Sequence, residues 1–178
     1  MKKFTAMILV LLFVLSFAGS ALADTKYNSY KHSLWGYTLE YPASYQFAGE
    51  GTGLSDAVSF IAADGDNFNV AGMYIGERYS AEELLEQLMP SLLQEYKSVM
   101  PGIKFLVEGD IYEAGGKKYA MVAYSWNSDG TDVIGVQFCN CDNGALFYIT
   151  YTSCEAANTA QFVKDFGEFA HVLKTFVY

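Results

Sequence analysis

The three cysteines, Cys139, Cys141 and Cys154, are the residues of this sequence with the most distinctive chemistry. Cys139 and Cys141 stand two positions apart in a segment that we interpret as a β-strand, so their side chains point to the same face of a sheet. Cys154 stands at the start of a predicted helix. Thiols at such positions form disulfides, bind soft metals or act as nucleophiles.

Several arrangements of these thiols are open. A disulfide from Cys139 or Cys141 to Cys154 would close a loop of about 13 to 15 residues and contribute about 3 kcal/mol in the chain-entropy model. Direct bonding of Cys139 to Cys141 is less favourable, because an extended strand holds them near the geometric limit. The remaining thiol stays free, pairs with a partner or joins a metal site, but no motif supplies a fourth metal ligand. We predict neither metal nor cofactor.

The two histidines lack the sequence partners that catalysis requires. Neither a nucleophile elbow nor a paired histidine-glutamate helix motif is present. His32 lies in a polar N-terminal segment, and His171 lies on the outward face of a predicted helix, one turn from Glu168. We therefore predict that both histidines are solvated, and we assign no catalytic residue.

Two segments have the composition of ligand-binding loops without the required spacing. The glycine-rich stretch 49–53 does not connect a strand to a helix, which a phosphate-binding loop must do, so we predict a mobile connection. The stretch 64–67, Asp-Gly-Asp-Asn, lacks the alternating oxygen ligands and the bidentate glutamate of a calcium loop. It is typical of a turn between two strands.

The N-terminus has the pattern of a cleavable secretory signal peptide. Lys2 and Lys3 precede an apolar run over residues 4–17, which is shorter than the about 20 residues of a spanning helix. Ala21-Leu22-Ala23 fits the small-x-small cleavage rule and places the cut before Asp24. No cysteine follows the apolar run, so no lipid attachment is expected.

This leader predicts the compartment and the domain organisation. Residues 1–23 are the expected signal peptide, and residues 24–178 form a single domain of about the usual size, with 24–33 as an extended arm. We predict a secreted or extracytoplasmic protein. The alternative is an uncleaved N-terminal anchor, the one case in which we expect membrane contact.

The charge of the chain excludes one class of partner. The full sequence carries a formal net charge of −9, and loss of the two leader lysines leaves nine basic residues against twenty acidic ones, a net charge of −11. A protein that binds phosphate backbones needs a basic patch, and only Lys117-Lys118 offers adjacent positive charges. We therefore expect no nucleic acid partner.

Local signals predict the elements that must position these side chains. Ser80-Ala81-Glu82-Glu83 is a capping box, and the apolar positions that follow recur with helical spacing as far as Tyr96. Pro90 inside this pattern should kink or divide the helix. A second helix is predicted over residues 155–174, with an aromatic stripe typical of a core-facing side: Phe162, Phe166 and Phe169.

The remaining periodic segments alternate like strands. We predict strands over 37–41, 58–61, 68–75, 103–113, 117–126, 131–139 and 145–152. Glycine-containing turns separate the last four, and Asn143-Gly144 is the strongest of these hairpin signals. The fold class is therefore α+β, with a mainly antiparallel central sheet flanked by helices.

Two segments carry a resemblance to a known family. Residues 36–42 with Tyr45, and the run 147–153 that leads into a helix ending near Phe176, resemble the PsbP-like family, named for an extrinsic subunit of photosystem II. The resemblance covers nearly the whole mature chain and implies an α/β/α sandwich. It also implies a binding or assembly role, because members of the family are typically binding or assembly factors and not enzymes.

We therefore expect an exported, noncatalytic binding or assembly module. The expected partner is another protein or a cell-surface component, and a small-molecule ligand is left open. The alternative is a secreted or periplasmic hydrolase or redox protein with an unrecognised site. A pocket with converging acids and histidines would favour the enzyme, whereas an aromatic surface would favour partner binding.

Overall fold

The structure, a computed structural model, describes residues 25–50, 57–154 and 159–178. The predicted signal peptide, most of the glycine-rich stretch 49–53 and the predicted start of the last helix lie outside the described residues. None of the described helices is long and apolar enough to cross a membrane.

The described residues form nine strands and three helices. The strands are β1 Tyr27–Lys31, β2 Thr38–Pro42, β3 Tyr45–Glu50, β4 Val58–Ala62, β5 Asn67–Tyr74, β6 Lys104–Ala114, β7 Lys117–Ser128, β8 Thr131–Asp142 and β9 Ala145–Ser153. The helices are α1 Ala81–Gln87, α2 Met89–Val99 and α3 Thr159–Thr175. This composition confirms the α+β prediction.

A seven-stranded sheet in the order β3-β4-β5-β9-β8-β7-β6 forms the centre of the domain, and all of its strand pairs are antiparallel. Its tight turns follow the predicted chemistry. Asp129 and Asn143 have φ values of 51° and 49°, and the glycine after each also has positive φ, as the two central positions of a type I′ turn require. These turns fix the register of β7, β8 and β9.

One face of this sheet, the aromatic face, packs against α3. Fully buried aromatic rings of the strands pack against the phenylalanines of α3. The strand residues are Phe60, Phe68, Phe138, Phe147 and Tyr151, and the α3 residues are Phe166 and Phe169. The ring centroids of Tyr151 and Phe169 lie 5.0 Å apart in a stacked arrangement. The aromatic stripe of the last helix is therefore core, as its spacing predicts.

The opposite face, the helix-pair face, packs against α1 and α2. Ser80 caps α1 as predicted, since its hydroxyl accepts from the Glu83 amide at 3.1 Å and its own amide donates to the Glu83 carboxylate at 2.7 Å. Pro90 lies in the first turn of α2, so the chain divides into two helices instead of continuing as one. α1 packs on β6, β7 and β8, and α2 packs on β6 and contacts β7 and β8 through Tyr96.

The N-terminal segment corrects the prediction of an extended arm over 24–33. Tyr27–Lys31 is a strand that pairs antiparallel with β2, and this two-stranded sheet packs on the aromatic face beside α3. The sequence of this strand is too polar for an alternation of apolar and polar residues to indicate a buried face. A second strand not predicted, Tyr45–Glu50, forms the edge of the main sheet and is interrupted by a bulge between Phe47 and Gly49.

Candidate binding cleft

The helix pair leaves half of its sheet face open. The seven strands are wider than the two short helices, which lie over β6 to β8. On β4 and β5 the side chains directed to this face therefore stay accessible. Ile61 is 45% exposed and Met73 is 48% exposed.

A cleft of about 370 Å³ lies where the helices end and the open half begins. Residues from β5, β9 and α1, and from the segments beside them, line it: Met73, Ile75, Tyr79, Leu84, Gln87, Leu88, Leu146 and Tyr148. Apart from Gln87 and the two tyrosine hydroxyls, these side chains are apolar. Protein sites for small molecules have such a lining and begin at about 300 Å³, so the cleft has room for one small apolar group.

Polar contacts hold the rim of this cleft. The guanidinium of Arg78 donates to the side-chain oxygen of Asn143 at 2.8 Å, and the Tyr79 hydroxyl donates to the Glu77 carboxylate. That bond, together with the negative charge of Glu77, raises the pKa of Tyr79. The loop before α1 is thereby tied to the turn between β8 and β9, which gives the cleft a defined wall.

The sheet beneath the helices contains a polar network centred on Gln137. Gln137 accepts hydrogen bonds at its side-chain oxygen from the hydroxyl of Tyr96 and, at 3.2 Å, from that of Thr150. Its amide nitrogen lies 3.7 Å from the sulfur of Cys139. Tyr96 belongs to α2, so this network fixes the position of the helix pair above the sheet.

Cys139 and Cys141 both point to the helix-pair face, as the strand spacing predicts. Burial raises the pKa of Cys139 to about 12, so this thiol is protonated at neutral pH. The thiol of Cys141 is partly exposed and donates to the backbone oxygen of Glu77 at 3.3 Å. Burial likewise raises the pKa of the neighbouring Tyr148, to about 12.

The disulfide to Cys154, one of the arrangements that the sequence leaves open, is not formed, although all three cysteines lie in described segments. The register of β8 and β9 gives the reason. Cys139 is opposite Tyr148, whereas Ser153, next to Cys154, is opposite Ile134. Five residues along a strand correspond to about 16 Å, far beyond the Cα separation of about 7 Å that a disulfide tolerates.

The prediction that both histidines are solvated is wrong for His32, which is buried, whereas His171 is partly exposed. His32 is 1% exposed, and its Nδ1 accepts from the amides of Leu34 and Trp35 at 3.1 Å each. His171 stacks on the ring of Tyr27 at 3.9 Å between centroids, and its Nε2 lies 2.7 Å from the carboxylate of Glu40. Both imidazoles hold the N-terminal strands on the aromatic face and lie outside the cleft.

Two groups of polar side chains lie away from the cleft. Glu50 accepts from the hydroxyls of Tyr30 and, at 3.0 Å, of Ser33, and these bonds lower its pKa. Asp66 accepts from the Tyr151 hydroxyl at 2.6 Å and from the backbone amide of Cys154 at 3.0 Å. No group of three or more metal-binding side chains occurs among the residues that the structure describes.

Some residues of this cleft are predicted from the sequence, but as core residues and not as part of a binding site. Leu84 and Leu88 are in the predicted apolar stripe of the first helix, where their spacing indicates core. Met73 and Leu146 are strand residues whose spacing says only which face they occupy. Nothing in the sequence shows that the helices stop short of β5, so the cleft emerges only from the assembled sheet.

Comparison with known proteins identifies the fold of the domain. No family model and no curated protein matches the sequence. Solved structures do match. Cyanobacterial PsbP (CyanoP) from Synechocystis sp. PCC 6803 has a TM-score of 0.57 and 16% identity over 89% of this chain and 96% of its own.

Two further bacterial structures are similar. LpqN, involved in cell envelope biogenesis of Mycobacterium tuberculosis, has a TM-score of 0.56 and 11% identity over 87% of this chain and 92% of its own. PA94 from Pseudomonas aeruginosa, a protein of unknown function and putative regulator, has a TM-score of 0.50 and 16% identity, with 85% and 96% covered. At these identities the likeness concerns the fold alone, and the chain has the PsbP-like fold.

Proposed function

We propose that this protein is an exported, noncatalytic binding module that holds an apolar group of a cell-surface component in the cleft beside α1. Residues 1–23 serve as its signal peptide, and residues 24–178 form the binding domain. The cleft of about 370 Å³ is the observation that carries this proposal. Its volume and its mainly apolar lining with a few polar groups are those of small-molecule sites in proteins.

The chemistry around the cleft supports binding over reaction. Cys139, the most buried thiol, has a pKa of about 12 and is a poor nucleophile in its protonated form. His171 is held by Glu40 and Tyr27 on the aromatic face. For the alternative, a hydrolase or redox protein, the described titratable groups beside the apolar lining are the hydroxyls of Tyr79 and Tyr148, whose pKa values are raised, and Glu77, which Tyr79 already binds.

The structural relatives fit an extracytoplasmic setting. LpqN is described as involved in cell envelope biogenesis, and it shares the fold over most of its length. With the predicted leader, this likeness favours a partner at the cell surface. Another protein that presents an apolar side chain is the second kind of partner we consider.

The test uses an uncharged solvatochromic dye, Nile red, as a probe of the cleft. Met73 lines the cleft, and Tyr74 is the next residue of β5 and points to the opposite face with 71% exposure. We expect Met73→Trp to fill the recess and reduce dye affinity about tenfold or more, while Tyr74→Trp leaves it unchanged. Circular dichroism melts check that both variants fold.

Equal dye binding by both variants, or no binding by the unmodified protein, would contradict the proposal. The natural occupant is sought by native mass spectrometry of the protein secreted from the exporting cell. A bound mass that is present in the unmodified protein and in Tyr74→Trp but absent in Met73→Trp would identify it as the cleft ligand.

A further inference from the structure

A strip of neutral polar side chains continues from the cleft across the open half of the sheet. It consists of six residues on β3, β4, β5 and β9, and we call it the neutral strip: Gln46, Ser59, Asn67, Asn69, Thr150 and Thr152. The register places them in rows. Ser59 is opposite Asn69, which is opposite Thr150, so these three share one face with the Gln137 network.

The strand positions on this face lack charge, although the protein is strongly acidic. Besides the neutral strip, the positions of β4, β5 and β9 that point to the same face hold uncharged side chains: Ile61, Ala71, Met73, Leu146 and Tyr148. The full chain carries a formal net charge of −9. Uncharged strand positions next to an apolar recess are therefore a distinct chemical environment on this molecule, and the nearest charges belong to the elements around them: Arg78 and Glu77 at the cleft rim, and Glu95 of α2, which acts on Tyr148.

Several groups of the strip have hydrogen-bonding capacity to spare. Thr150 is bound to Gln137 inside the sheet. The side chains of Ser59, Asn69 and Thr152 are partly exposed and form no hydrogen bond with other described residues. An amide and two hydroxyls offer both donors and acceptors, and they match a ligand that presents both without carrying charge.

We propose that the neutral strip binds an uncharged, hydroxyl-bearing head group of an amphipathic molecule whose apolar part occupies the cleft. This inference rests on the proposed function and names the ligand class. The volume of the cleft fits one small apolar group, such as a short alkyl chain. A charged head group would lose its hydration against neutral side chains without gaining an ion pair.

The experiment compares three amphiphiles with the same chain below their micellar concentrations: n-octyl glucoside, octylphosphocholine and octyl sulfate. Titration calorimetry gives their affinities. We expect the glucoside to bind about tenfold more tightly than either charged analogue. Asn69→Leu removes hydrogen-bonding groups at similar size and should weaken glucoside binding about threefold to tenfold, with the other two amphiphiles unaffected.

Asn28→Leu is the matched control, because Asn28 is exposed on β1, away from the cleft. It should leave all three affinities unchanged, and Nile red binding should survive Asn69→Leu, since the apolar recess is intact. Equal affinities for the three amphiphiles, or a glucoside affinity insensitive to Asn69→Leu, would overturn the inference. The proposed function would still stand if Met73→Trp abolished their binding.

A second copy of the chain is the competing occupant of this surface. Sedimentation velocity of the ligand-free protein should show a monomer. A dimer that is broken by Asn69→Lys and not by Asn28→Lys would assign the strip to self-association and overturn the inference. If none of the amphiphiles binds and dye binding is insensitive to Met73→Trp, the proposed function fails as well.

Discussion

The hydroxyl of Tyr119 donates a buried hydrogen bond of 2.7 Å to the backbone oxygen of Leu173. Tyr119 lies near the start of β7, and Leu173 lies in the last turn of α3, where carbonyls lack partners within the helix. The ammonium of Lys117 donates to the carbonyl of Phe176 just beyond. The β6–β7 hairpin thus caps the C-terminal end of α3, and this contact fixes the helix on the aromatic face.

Removal of the Tyr119 hydroxyl tests this cap. Tyr119→Phe leaves the ring in place and a buried carbonyl without its donor, so we expect the free energy of unfolding to fall by about 1–2 kcal/mol. Urea denaturation measures it. Tyr112→Phe is the control, because that hydroxyl donates to no other described residue, and its stability should change little. Equal losses in the two variants would contradict the cap.

The turn of the same hairpin gives a second prediction. A Cβ at Gly115 would lie 2.5 Å from the carbonyl oxygen of Lys174, and its φ is +59°. Gly116 has φ +76° with open space around it. Gly116→Ala should therefore cost about 1 kcal/mol from the left-handed backbone alone, whereas Gly115→Ala should cost at least about 2 kcal/mol because the backbone of α3 must also move. Thermal melts of both variants compare them, and a smaller loss in Gly115→Ala would contradict the close packing.

Elements whose chemistry is local could be predicted from the sequence. The Ser80 capping box, the division at Pro90 and the Asn143-Gly144 turn each need only neighbouring residues, and each is present. The resemblance to the PsbP-like fold rests on such elements as well. The fold class and seven of the nine described strands followed from such local signals.

Features that depend on distant contacts could not be predicted in this way. The polar sequence of β1 gives no periodic signal, because its stability comes from pairing with β2 and from packing beside α3. His32 is buried because its ring packs beside those of Tyr30 and Tyr37, an arrangement that its polar sequence neighbours do not indicate. The cleft exists because two short helices cover only part of a sheet of seven strands. This difference in width cannot be predicted from any single segment of the sequence.

The buried carboxyl of Asp165 makes stability depend on pH. Burial raises its pKa above the ordinary value of 3.8, and the negative charges of Asp66 and Asp64 add to this. Because the folded state holds the proton more tightly than the unfolded state, this group adds stability as the pH falls from neutral towards its ordinary pKa. At neutral pH the charged form opposes folding.

Asp165→Asn should therefore be more stable than the unmodified protein at pH 7, and the gain should shrink as the pH falls towards the ordinary pKa of 3.8, because the folded state takes up the proton before the unfolded state does. The amide still accepts from Gln161, whose side chain lies 2.8 Å from both carboxylate oxygens. Asp129→Asn, at an exposed turn position, controls for the loss of one negative charge. A gain that is constant between pH 4 and pH 7 would show that burial of the charge is not its cause.

The register of β8 and β9 predicts the reactivity of the thiols. Cys139 is fully buried with a pKa of about 12, Cys141 is partly exposed and Cys154 is exposed. Iodoacetamide should therefore modify Cys154 first and Cys141 more slowly, and Cys139 should react only after denaturation, because alkylation requires an accessible thiolate.

Peptide mass spectrometry of native and denatured samples follows each site, and the intact secreted protein should have the mass of the fully reduced chain. A mass two hydrogens lower, with Cys154 protected, would mean that β9 is bridged to β8 and that the strand register described above is wrong.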